Sequence, residues 1–112
     1  MERYWISFDL GLQGDYRPLF EWLDRQDAKE HGDGEGAQDC GENVATFMSD
    51  KTTVQIQKEL SALLSKQKEN GRVYLIGRYE GVKYSGRFIL GKRRKSPPWK
   101  GFAEVESTGD SA

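Results

Sequence analysis

Tyr4-Trp5-Ile6-Ser7-Phe8-Asp9-Leu10 alternates cleanly and stops at Gly11. Side chains of a strand point to opposite faces in turn, so Tyr4, Ile6, Phe8 and Leu10 line one side and Trp5, Ser7 and Asp9 the other. A second apolar run, Arg72-Val73-Tyr74-Leu75-Ile76-Gly77-Arg78-Tyr79, has the same strand character. Glu80 to Lys83 turns it into a further strand, Tyr84 to Leu90, in which Gly86 marks a bulge or a point of close approach.

Two helices lie between these strands. Asp15 is placed to cap the first, and Pro18 is tolerated because the first turn lacks a partner for its missing N–H. Tyr16, Leu19, Phe20 and Leu23 then form an apolar stripe over 16–25, with Trp22 at its edge. Thr52 and Gln55 have the form of a capping box, followed by Ile56, Leu60, Leu63 and Leu64 on one face. That helix is expected to end near Asn70-Gly71. Ala28 to Glu30 reads as a short edge strand, 31–43 as a mobile acidic Gly-rich loop, and Val44 to Met48 as a strand completing a long hairpin. The order is β-α-β-β-α-β. Two helices that each bury one stripe can share a face of an antiparallel sheet, which predicts an α+β, ferredoxin-like fold with an added C-terminal β-strand. There the first and fourth strands are central, in agreement with their being the most apolar.

The 112 residues suit one domain, drawn here as 1–106, with an extended tail over 96–106 after Pro97-Pro98 and a disordered terminus over 107–112. No apolar run approaches the roughly 20 residues of a membrane span, and the first residues lack the pattern of a secretory signal. A single cysteine, Cys40, leaves no intramolecular disulfide, so a cytoplasmic setting is expected. The net charge of −1 hides an uneven distribution. Asp15 to Asp50 carries ten acidic and three basic residues, whereas Arg72 to Lys100 carries nine basic residues and only Glu80 in opposition. The C-terminal third is therefore a candidate surface for phosphates or an acidic partner.

Phe8-Asp9 at the end of the first strand and Val44-Ala45-Thr46-Phe47 in the third resemble the small ferredoxin-like nucleases of CRISPR adaptation complexes and the related VapD-type toxins. The resemblance spans residues 3–80. The chain departs from the pattern after Asp9, where Leu-Gly-Leu-Gln-Gly replaces a basic start to the first helix and only Arg17 follows. No acidic residue directly follows Phe47, and the acidic loop and the Pro-Pro-Trp tail have no counterpart. The resemblance implies Asp9 as a catalytic, metal-binding carboxylate. With the same residue of a second subunit it would hold magnesium or manganese, which activates water against a phosphodiester. The residue itself admits a simpler role, ending the strand and capping the next loop.

His31, Asp33, Glu35, Asp39 and Cys40 do not make a zinc site, because one His and one Cys fall short of the four ligands zinc usually takes. Nor do Cys40 and His31 have a group to orient them as a nucleophile pair. Lys92-Arg93-Arg94-Lys95 is the strongest signal outside the core. Joined by Lys83, Arg87 and Lys100, and interleaved with Tyr79, Tyr84, Phe88, Trp99 and Phe102, it has the make-up of a phosphate-tracking surface with stacking platforms. The alternative is a solvated basic stretch offset by the chain's own acidic segment. At a pI near 5.9, any binding of RNA or DNA is expected to be local and salt-sensitive.

The sheet face away from the helices would carry Trp5, Tyr74 and Ile76. Trp99 and Phe102 either pack back on it or clasp a partner subunit, so Trp5, Tyr74, Trp99 and Phe102 are the expected homodimer interface. The sequence thus points to a small dimer that binds or processes nucleic acid, with a metal-dependent endoribonuclease as its catalytic form. The competing expectation is a non-catalytic module that binds a protein partner.

Overall fold

The computed structural model describes residues 1–26, 36–67, 71–79 and 83–101. The elements run β1 (Glu2–Asp9), α1 (Arg17–Asp24), β2 (Gln38–Gly41), β3 (Val44–Ser49), α2 (Thr53–Leu63), β4 (Arg72–Tyr79) and β5 (Lys83–Leu90). The strands form one antiparallel sheet in the order β2-β3-β1-β4-β5. The protein is α+β, an open five-stranded antiparallel sheet with two helices, compatible with the ferredoxin-like class. Among the described residues, no helix is long and apolar enough to cross a membrane.

The alternation in β1 sets the layers. Tyr4, Ile6, Phe8 and Leu10 are buried with Ala45 and Phe47 of β3, Val73 and Leu75 of β4, Leu19, Trp22 and Leu23 of α1, and Ile56, Leu60 and Leu64 of or beside α2, in a single core. Each fully buried aliphatic side chain contributes about 1.5–3 kcal/mol. Phe47 joins the layers, its ring stacked 5.4 Å from Tyr4 and edge-on to Trp22 at 5.2 Å. The Tyr4 hydroxyl donates to the carbonyl of Lys51, so the phenol is buried with its polar end satisfied.

Several expectations need correction. Residues 38–41, read as part of the acidic loop, form β2, because β3 supplies a ladder that overrides the weak strand propensity of Gln-Asp-Cys-Gly. The hairpin is correspondingly tight. Gly41 pairs with Val44, and Asn43 takes φ 63°, a left-handed conformation that Asn tolerates. The N-cap of α1 is Tyr16, while the Asp15 carboxylate accepts from the Arg17 N–H one step further along. Trp22 belongs to the buried stripe and Phe20 is half exposed, the reverse of the expected order. The helix is rotated so that the Trp22 indole N–H reaches the Glu59 carboxylate at 3.4 Å.

The capping box of α2 is present as expected, with Thr52 and Gln55 each bonding the other's backbone N–H. The helix nevertheless ends at Leu63, well before Gly71. Gln67 instead ties the chain to the loop ahead of α1, accepting from the Asp15 N–H at 3.2 Å and donating to the Asp15 carbonyl at 2.8 Å. The expected strand over 28–30, residues 31–35 of the loop, Phe102 and the rest of the tail lie outside the described residues.

Candidate nucleic-acid interface

The face of the sheet opposite the helices follows from register alone. Directly paired residues share a face. Trp5 pairs with Ile76, Ser7 with Tyr74 and Asp9 with Arg72, and across the next ladder Tyr74 pairs with Phe88, Ile76 with Gly86 and Arg78 with Tyr84. Trp5, Tyr74, Tyr84 and Phe88 therefore lie together over three strands. Arg3, Arg72 and Arg78 share this face with them.

These rings touch. Trp5 meets Tyr84 edge-on at 5.6 Å, and Tyr74 meets Phe88 edge-on at 4.8 Å. The Arg78 guanidinium lies 4.8 Å from the centre of the Tyr84 ring and 3.9 Å from the Glu2 carboxylate. Arg3 donates to the Thr46 hydroxyl, which donates in turn to the Tyr4 carbonyl. Trp5, Tyr74 and Phe88 are partly buried and Tyr84 is exposed, so the four form a half-open aromatic surface rather than a second core. Gly86 makes this possible. A Cβ there would overlap the Tyr74 hydroxyl and the ring carbons next to it.

The basic segment begins at one end of this surface. β5 pairs Leu90 with Val73, and Gly91 then packs on Gly71 and the stem of Arg72. Lys92, Arg93, Arg94 and Lys95 follow, all exposed. The segment turns at Pro97, whose carbonyl accepts from the Lys100 N–H, while the Lys100 ammonium donates to the Lys95 carbonyl. Trp99 is 76% exposed.

Arg87 does not join this group. It pairs with Leu75 and so projects on the helix side, where its guanidinium covers the Tyr79 ring at 3.9 Å. Burial raises the Tyr79 phenol above its usual range, and the Arg87 cation pulls the other way. Arg87 thus covers a half-buried ring whose hydroxyl has no hydrogen-bond partner among the described residues.

Asp9 ends β1, and its Oδ1 accepts from the Gly11 N–H at 3.0 Å, the simpler of the two roles considered for it. The residue directly across the ladder is the cation Arg72. Magnesium takes near-octahedral oxygen ligation through one or two carboxylates, and calcium takes still more oxygens. One carboxylate alone does not meet that ligand set, and no cluster of three metal-binding side chains occurs among the described residues. A metal at Asp9 would need carboxylates from a second copy.

Arg72 and Arg78 are not among the residues that the sequence alone singles out. Their signal was present in the two-residue period of Arg72-Val73-Tyr74-Leu75-Ile76-Gly77-Arg78, which sets Arg72, Tyr74, Ile76 and Arg78 on one side. The neighbours that complete the surface come from the cross-strand register. Comparisons with protein-family models, with curated proteins and with solved structures find no match to this chain.

Proposed function

We propose that this chain is a ferredoxin-like, single-stranded nucleic-acid-binding protein whose open sheet face is the binding surface. The observation that carries the reading is the row of Trp5, Tyr84, Tyr74 and Phe88, flanked by Arg72 and Arg78 and continued at one end by Lys92 to Lys95. Bases stack on half-exposed rings and guanidinium planes with about 1–3 kcal/mol per base, whatever their identity. Basic side chains that follow the strand add a salt-dependent term by releasing counterions. A duplex keeps its bases stacked on one another, so this surface favours an unpaired strand.

The test is a titration of a labelled single strand and of its duplex at low salt. The reading expects the single strand to bind more tightly. Equal affinity would reduce the interaction to phosphate attraction, and absence of binding to either would overturn the reading.

A second reading, a homodimer or protein-docking module, is favoured by one observation, the exposure of Trp99 on the segment that follows β5. Two copies meeting through Trp99, Trp5 and Tyr74 would occlude the stacking surface. A dimer dissolved by Trp99→Ala, together with no affinity for single strands, would select this second reading.

A further inference from the structure

The strongest unassigned feature is a depression on the open face lined by Ser7, Asp9, Arg72, Tyr74 and Phe88, with a volume of about 180 Å³. Resting on the nucleic-acid reading above, we propose that this depression selects an unpaired guanine. Its apolar wall is the Tyr74–Phe88 pair, whose planes meet at 68°. Its polar end is lined by Asp9 and Arg72, which pair directly on adjacent strands. Gly91 leaves room for the Arg72 stem, which a Cβ there would meet at 2.8 Å.

The hydrogen-bonding inventory then discriminates among bases. A carboxylate is acceptor-only and a guanidinium donor-only. Guanine presents two adjacent donors, N1–H and the N2 amino group, beside the O6 acceptor, and this order matches Asp9 followed by Arg72. Adenine and cytosine each place an acceptor beside their amino group, which would face the carboxylate. Uracil flanks its single N–H with two carbonyl oxygens. Only one hydrogen bond reaches the Asp9 carboxylate from the described residues, the Gly11 N–H on Oδ1, so the other oxygen remains open to a ligand. Unstacked bases are commonly read along this edge while stacked on an aromatic ring.

The experiment uses the full chain and a short labelled oligouridylate, alone or with one central guanosine, adenosine or cytidine, followed by fluorescence anisotropy. The guanosine strand is expected to bind about tenfold more tightly than the others, within the range for one bidentate base contact. Asp9→Asn keeps an oxygen for the Gly11 N–H but replaces an acceptor with a donor. It is expected to abolish the guanosine preference, read as the ratio of guanosine-strand to oligouridylate affinity within the variant, with circular dichroism confirming the fold. Equal binding of all four strands by the wild type, or a guanosine preference that survives Asp9→Asn, would overturn the guanine assignment while the stacking surface stands. No affinity for any strand would overturn the stacking surface itself, and the assignment with it.

Discussion

Tyr74 of β4 occupies the space above Gly86 of β5, so that glycine is what lets the ring lie across the edge of the sheet. The obstacle to a larger residue is the far end of a half-exposed side chain, which can swing away. Gly86→Ala is therefore expected to keep stability within about 1 kcal/mol, since alanine is at least as favourable as glycine in a strand interior. It should weaken single-strand binding several-fold by displacing Tyr74. Gly77 provides the contrast on the helix face. A Cβ there would stand 2.7 Å from the Tyr4 ring, which is buried, stacked on Phe47 and hydrogen-bonded to Lys51. Gly77→Ala should cost about 1–3 kcal/mol, the usual range for overpacking. Urea unfolding of both variants checks the pair.

Neutralising Arg93 and Arg94, which are exposed beyond the end of β5, should weaken binding to every sequence alike. The slope of log affinity against log salt should also fall by about 0.7 for each phosphate of a single strand that the variant no longer neutralises. An unchanged slope in the double alanine variant would remove the basic segment from the interface.

Stability should depend on one carboxylate below neutral pH. The Lys51 ammonium, 2.7 Å away, holds the Glu59 carboxyl below its usual range, with the Trp22 indole N–H acting in the same sense against burial. A carboxyl with a depressed folded-state value stabilises the protein above its unfolded value, and this stabilisation is lost as pH falls through the folded value. Between about pH 7 and about pH 3, wild type should therefore lose more stability than Glu59→Gln, as read from urea midpoints. An identical loss in both proteins would show that Glu59 does not contribute.

Binding by stacking and phosphate attraction does not use a metal. Replacing magnesium with EDTA at matched ionic strength should leave single-strand affinity unchanged. A loss on chelation that magnesium or manganese restores would return attention to Asp9 and to a metal site shared between copies.

The layers of the fold were legible where local pattern and tertiary packing agree. The alternation of Tyr4 to Leu10 and of Arg72 to Tyr79 specifies those strands within a few residues, and the Thr52–Gln55 capping box specifies the start of α2. The readings that changed depended on partners distant in sequence. Gln38 to Gly41 has little strand propensity and becomes a strand through β3. Trp22 rather than Phe20 is buried because Glu59 and Phe47 lie on that side of α1. The candidate site divides in the same way. Trp5 and Tyr74 could be assigned to the open face from period alone, and Tyr84 and Phe88 were already marked as stacking residues. Their assembly into one surface, and the placement of Arg87 on the other side, required the β4–β5 register.

The most direct measurement compares two exposed aromatic residues on opposite sides of the molecule, Tyr84 on the open sheet face and Phe20 on α1. Stacking on the sheet predicts that Tyr84→Ala weakens single-strand binding by about fivefold or more, while Phe20→Ala binds as wild type does. Equal affinities for the two variants, whether both retained or both lost, would contradict it.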